Sequence, residues 1–228
     1  MSQGKSTGPR EPARPRLSAA TVPADSIDHD LRSEATFRGV SFEGIDLSGQ
    51  SGDTMEFVQC RFRRVTLANA VLEHTVLIDC DIENSDWANV RATKSSLHRV
   101  ETSLARLTGV HWIDGALVDV SFRECRMDLA VWRFTSFKRV AFVDCNLARA
   151  DFTHADLRGA QFSGCDLTGA QFAHSLAEGA RFSRCELAGI GSVAQLRGAV
   201  ISGHDLATLA VTFANALGIV GRPGVDLL

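Results

Sequence analysis

Residues 150–174 read ADFTH ADLRG AQFSG CDLTG AQFAH, five pentads in a row, each with a large apolar residue at its centre. Carrying that register outward, the central position falls at 37, 42, 47 and so on to 187. Of these 31 sites, 27 are Phe, Leu, Ile, Trp or Met, and the exceptions are Gly52, Ala92, Thr102 and Ala177. No insertion breaks the phase over more than 150 residues. Two positions before each centre the chain is mostly small or β-branched, as at Ala35, Val40, Ile45, Val65, Ala70, Val90, Ala150, Ala155 and Ala160. All six cysteines (Cys60, Cys80, Cys125, Cys145, Cys165 and Cys185) share that second position.

A period of five fits neither the 3.6 of a helix nor the 2.0 of a strand. Two inward residues in every five require a chain that turns a corner each pentad, and four corners close a square coil of 20 residues. Coils stacked at the inter-strand spacing of about 4.7–4.9 Å make residues 35–190 a rod of nearly eight coils, on the order of 37 Å long. Sorting by twenties tests the idea. Phe122, Phe142, Phe162 and Phe182 fall in one column, Leu147, Leu167 and Leu187 in a second, and Cys125, Cys145, Cys165 and Cys185 in a third. Like stacks on like along an axis. The composition of 13 Phe and no Tyr then follows, because a phenolic hydroxyl in a dry column lacks a partner.

This pattern resembles the pentapeptide-repeat family, whose motif is A(D/N)LXX. The resemblance covers residues 35–190 and implies an all-β solenoid, a right-handed quadrilateral parallel β-helix, here followed by a C-terminal α-helix. The expected organisation is a disordered Pro-rich tail over 1–33, the β-helix over 34–201, and a capping or dimerisation helix and tail over 202–228. The tail carries Pro9, Pro12, Pro15 and Pro23 without apolar periodicity. It reads as a linker or as a ligand for a polyproline-reading partner. Its GKS at residues 4–6 lacks the upstream glycine and strand of a phosphate loop.

After Ile190 the phase slips, and Leu196 and Ile201 become centres. Ser202-x-x-Asp205 then has the form of a capping box. Leu206, Leu209, Ala210, Phe213, Ala214 and Leu217 make one apolar stripe, closed by Gly218. Such a helix can plug the open end of the solenoid or pair with its twin across a two-fold axis. The LRGAVIS segment (196–202) and the LGIV ending (217–220) are similar to the C-terminus of Qnr-type quinolone-resistance pentapeptide proteins, which implies a homodimer through Leu206, Leu209, Phe213 and Leu217.

Composition bounds the function. There are 24 Lys+Arg against 27 Asp+Glu, a net charge of −3, so no global basic field exists to hold nucleic acid directly. No stretch approaches the roughly 18 apolar residues of a membrane span. The cysteines are too few for an oxidised scaffold and no signal peptide is evident, so the expected compartment is the cytoplasm, with the thiols as packing groups.

A filled rod offers few concavities for catalysis, and no catalytic, cofactor or metal residues are expected. His154 and His174, one coil apart, with His74 further along, are the best candidates for a metal pair or an active site. Leu129 and Phe134, at outward positions beside Trp132, make a better interaction patch. From Val65 to Val90 the chain has Glu73, Asp79, Asp81, Glu83 and Asp86 and no Lys or Arg, and the next coil turns basic with Arg91, Lys94, Arg99 and Arg106. That band is the expected partner surface. The resemblance implies binding of DNA gyrase, or a related type II topoisomerase, by a rod that imitates a DNA segment. No whole face of this chain is strongly acidic, however, and the long loop insertions of some gyrase-protecting relatives are missing. The pentads around Gly52 and from Ala92 to Thr102 keep phase and are expected to bulge. The expected role is thus a non-catalytic protein-interaction module; an accessory protein or enzyme of a biosynthetic pathway, or a purely structural rod, are the alternatives.

Overall fold

A computed structural model describes residues 10–24 and 30–219. The repeats wind into a parallel β-solenoid of about 9 turns that ends in a short C-terminal helix. Registers run in steps of twenty, as in Phe42↔Phe62, Ser96↔Ala116 and Gln161↔Arg181. Among the described residues one 12-stranded sheet covers two sides, because its long strands Val76–Glu83, Ser96–Ser103, Ala116–Arg123 and Ser136–Val143 run through a corner. A 4-stranded sheet, Ser51–Asp53, Val71–Glu73, Arg91–Thr93 and His111–Ile113, forms part of a third side. The fourth side is a ladder of single bridges through Asp46, Thr66, Asp86, Arg106, Arg126, Asn146, Asp166 and Glu186.

The corners explain the pentad. From Glu34 to Gly189 the residue two places after each centre has positive φ. In most of them the N–H donates to a carbonyl 19 residues ahead, for example Gly49 to Ala68 at 2.9 Å and His154 to Ala173 at 2.8 Å. A left-handed corner costs an L-residue about 1–2 kcal/mol, least for Gly, Asn and Asp. Nine of these corners are Gly and seven are Asn or Asp, half of the 32. That spacing of Gly, Asn and Asp is a second sequence signal for the coil.

The interior is dry and columnar. Phe122–Phe142, Phe142–Phe162 and Phe162–Phe182 stack at 5.1, 4.9 and 4.8 Å with planes within 9°, and Leu147, Leu167 and Leu187 are fully buried. Each of the four thiols Cys125 to Cys185 donates to the carbonyl 23 residues before it, as Cys145 Sγ does to Phe122 at 3.5 Å. Ser85, Ser95 and Thr135 stand in the same second position and make the same bond through a hydroxyl. Their burial is therefore satisfied.

The irregular pentads do not bulge. Ser51–Asp53 pairs in register with Val71–Glu73, and Met55 fills the space a ring would take at Gly52, whose Cβ would lie 2.3 Å from the Met55 sulfur. Small Ala92 is the register partner of Trp112. Trp112 in turn needs Gly115, where an added Cβ would sit 2.5 Å from the Ser95 carbonyl oxygen and 2.6 Å from the Trp112 indole nitrogen that donates to that oxygen.

Both ends differ from the sequence expectation. Of the segment 1–33, expected to be disordered, residues 10–24 lie along the rod, and Val22–Pro23 adds a parallel strand to Val40–Glu43 at its open end. Main-chain bonds to the solenoid, rather than apolar burial, hold this segment. Pro9 lies outside the described residues. At the other end the phase slip is real, with Phe182 opposite Ile201. The helix Gly203–Ala216, here α1, follows. Its capping box does not form. The Ser202 N–H instead donates to Phe182 at 3.0 Å as the last ladder bond, so the Asp205 carboxylate has no reciprocal donor there. Gly218 closes the helix with φ 73°, and the Ile219 N–H reaches back to Ala214 at 2.8 Å.

Gly115→Ala is expected to lower stability by about 1–3 kcal/mol through overpacking, and Gly44→Ala, with open space around it but φ +64°, by about 1 kcal/mol. Urea denaturation of the two variants beside the parent checks both values.

Candidate functional site

An outer surface made of corners and single ridges offers three kinds of feature: charged ladders, aromatic ladders, and the ends. The acidic band separates in three dimensions, because a coil wraps its residues around every side. Glu83 faces Arg63 at 3.4 Å, Asp86 faces Arg106 at 2.8 Å, and Asp79 takes a bidentate pair from Arg99 at 2.6 and 2.8 Å. Arg99 and Arg106 lie one coil further along the axis, across the boundary between acidic and basic bands, and Arg63 lies one coil back. Asp81 is half-buried, and burial pushes its carboxyl up, while nearby Arg63 opposes the shift. Glu73 joins Asp53 and His74 in an exposed cluster whose ligand atoms lie within 4.8 Å of one another. Those three groups could hold a metal ion. The His74 Nδ1 is 2.8 Å from Asp53, a hydrogen bond that holds the Asp53 carboxyl below the usual range.

Asp79 begins a corner ladder that alternates in sign, Asp79, Arg99, Asp119, Arg139, one residue per coil. Arg139 pairs with Asp119 through Nε at 2.6 Å and through Nη2 at 2.5 Å. The arginines hold both carboxyls low, against a smaller upward push from burial. Residues 10–24 run across this ladder. The Arg16 N–H donates to Asp79 at 2.9 Å and the Ala13 N–H to Asp119 at 3.1 Å. The Gln59 amide donates to the Arg16 carbonyl at 2.7 Å and Arg61 to that of Ser18 at 2.9 Å. Both aspartates are buried as a result.

The apolar candidates stay exposed. Leu129 is 49% and Phe134 55% accessible, at the two corners that flank the side centred on fully buried Trp132. Both have positive φ, 59° and 56°. Phe134 stacks on His154 at 4.7 Å, and His154 on His174 at 4.8 Å, with planes within 12°. Parallel stacked imidazoles direct their in-plane lone pairs side by side instead of toward one point, which is poor geometry for a shared metal. The structure thus joins Phe134, His154 and His174 in one external aromatic ridge.

On α1 the stripe divides. Leu209 is fully buried and joins the core with Val193 and Leu196, whereas Leu206, Phe213 and Leu217 are 48%, 40% and 76% exposed. The helix caps the rod through the one buried apolar residue, Leu209, with Thr212 accepting from the Gly189 N–H at 3.3 Å, and leaves these three and Val211 outside. Among the described residues no helix is long and apolar enough to cross a membrane.

The thiols are shielded by burial, although a hydrogen bond with the next thiol holds Cys125 and Cys60 below the usual range. All six cysteines are free and buried. Hydrogen bonding within the column, with burial adding to it, pushes Cys145 and Cys165 up to about 12, and the same two causes push Cys185 up.

The chain matches the family described as pentapeptide repeat region over residues 115–191, and that described as pentapeptide repeats (8 copies) over 56–86. No curated protein matches. Among solved structures it is similar to HetL, a pentapeptide repeat protein involved in heterocyst differentiation regulation from the cyanobacterium Nostoc sp. strain PCC 7120. The identity there is 18% over 74% of this chain and 85% of that one, with a TM-score of 0.46. A trypsin-treated form of QnrB1, a plasmid-mediated fluoroquinolone resistance protein, is 19% identical over 85% of this chain and 99% of that one, with a TM-score of 0.35.

Two outcomes follow. Ellman's reagent is expected to find no reactive thiol in the native protein and six after unfolding in guanidinium; fast labelling of the native protein contradicts the buried column. The carboxyls of Asp79 and Asp119 are depressed, so their contribution is complete above the ordinary aspartate value near 4 and fades as pH falls through their lowered values. The double variant Asp79→Asn, Asp119→Asn is expected to lose about 1–3 kcal/mol at pH 7 and less at pH 2, measured by urea denaturation.

Proposed function

Because this chain is a pentapeptide-repeat protein, we propose that it acts without catalysis, as a rod that presents fixed surface features to a protein partner. One observation carries this reading. Leu129 and Phe134 occupy left-handed corners, where bulky side chains are costly, and they bury little there. Apart from the stacking of Phe134 on His154, folding gains little from them that Gly or Asn would not supply. An apolar pair kept exposed at a cost, beside the ridge of Phe134, His154 and His174, has the chemistry of a contact patch. The sequence resemblance to Qnr-type proteins makes DNA gyrase the named candidate partner. Recognition would run through this patch and not through a uniformly acidic face, since Asp79, Glu83 and Asp86 are each paired with an arginine.

The second part of the reading is a homodimer through α1, supported by the exposure of Leu206, Phe213 and Leu217 next to a single buried anchor at Leu209. A cytoplasmic setting accords with six free thiols.

Purified protein is expected to capture gyrase and to alter its supercoiling activity or its inhibition by quinolones. Leu129→Gly with Phe134→Gly is expected to leave the midpoint of thermal unfolding within a few degrees, or raise it, while weakening capture at least tenfold. Absence of capture, of inhibition and of protection by the parent protein rejects gyrase as the partner. For the dimer, Phe213→Asp with Leu217→Asp is expected to halve the mass seen by light scattering with the fold retained, whereas Leu209→Asp unseats the helix itself.

A further inference from the structure

Residues 10–24 cross the solenoid lengthwise, and their register against it is regular. Arg16 meets Asp79 and Ala13 meets Asp119. Three residues along the strap correspond to forty along the rod, which is two coils. An extended polyproline II chain advances about 9 Å in three residues, and two coils at the inter-strand spacing span about 9.5 Å. The two lengths match. Pro12 and Pro15 share the three-residue period and are half-buried against the rod, one residue before each donating N–H. A polyproline helix has no internal hydrogen bonds, so its remaining N–H groups are free to donate outward. The rod supplies the complement: two carboxylates two coils apart, each locked by the arginine of the following coil, as Arg99 locks Asp79 and Arg139 locks Asp119. Side chains that donate to the strap's carbonyl oxygens, Gln59 and Arg61, stand at the near end. Arg14 continues the contact with an ion pair to Glu101 at 3.8 Å, and Glu11 and Pro12 line a cavity with Ser121, Arg123 and Ala141.

We propose that the corner carrying Asp79 and Asp119 is a binding track for an extended, proline-spaced peptide, read by main-chain N–H groups at every third residue, and that residues 10–24 are its built-in occupant. The partner chemistry is specific. A competing segment must be extended, must offer N–H groups three residues apart between prolines, and needs no particular side chain at those donors, which here are an alanine and an exposed arginine. Carboxylates preorganised by bidentate arginines accept such N–H groups without moving. The covalent link keeps the resident segment at an effective concentration that a free peptide in the micromolar range does not match.

The experiment uses the full chain and the substitutions Ala13→Pro and Arg16→Pro, which preserve extended backbone but remove the two donors. The probe is a fluorescein-labelled peptide of residues 10–24, followed by fluorescence anisotropy. It is expected to bind the Ala13→Pro, Arg16→Pro chain at least tenfold more tightly than the parent, whose track is filled. The same peptide with proline at positions 13 and 16 is expected to bind at least tenfold more weakly than the unaltered one. Equal binding of the probe to both chains, no binding to either, or equal binding of the two peptides overturns the proposal. Amide hydrogen exchange on the parent protein gives an independent reading. The Ala13 and Arg16 amides are expected to exchange at least tenfold more slowly than in the free peptide, and to lose that protection in Asp79→Ala, Asp119→Ala while the Leu167 amide keeps its own. Free-peptide rates at Ala13 and Arg16 in the parent chain overturn it as well.

Discussion

The bond between a left-handed corner and the next coil organises this molecule. A residue with positive φ every five positions turns the chain through a corner and aims its N–H along the rod axis, where the carbonyl 19 residues ahead receives it. Such corners are individually unfavourable for most side chains. They persist because every inter-coil bond has neighbours above and below, so a corner that relaxed would leave a donor on one coil and an acceptor on the next unsatisfied. Stacking of like on like is a consequence, since a repeat of twenty brings each side chain over its equivalent.

The same constraint separates what the sequence makes legible from what it does not. The solenoid, its columns of Phe, Leu and Cys, and the capping helix follow from the spacing of apolar residues, because burial in this fold depends on sequence separation alone. The corner register was also written in the chain, in the Gly, Asn and Asp residues two places after each centre. The N-terminal segment was not legible in the same way. Its composition speaks only of apolar burial, of which it has little, whereas what orders it is a match between a three-residue period and a forty-residue one, carried by main-chain donors that no residue type announces. The capping box misled for a related reason. Ser202 and Asp205 have the right identities, but the backbone N–H that the motif requires is already spent on the last rung of the ladder.

Charge shows the difference between one dimension and three most plainly. Read along the chain, five acids from Glu73 to Asp86 precede four bases from Arg91 to Arg106 and form two bands. Read along the rod, the neighbours of a residue are those twenty away, and several of the acids meet bases across the boundary: Asp79 with Arg99, Asp86 with Arg106, Glu83 with Arg63 on the other side. Exposed pairs of this kind add little to stability, but they cancel the local field. A partner that recognised the rod as an acidic polymer would find much of that charge engaged, and at Asp79 it would also find residue 16 of the chain's own strap in the way.

What a partner can read is therefore what the ladders leave over. On one flank that is the apolar pair Leu129 and Phe134 with the stacked imidazoles; on another it is the track on which residues 10–24 lie. These two surfaces differ in kind. The first is rigid and open, built on corners whose conformation is over-determined by the coils around them, so binding there requires no ordering of the rod. The second is covered, and anything that docks on it must first displace a segment already satisfied by the same donors and acceptors. A rod with both surfaces can hold one partner constitutively while making the other compete with its own N-terminus.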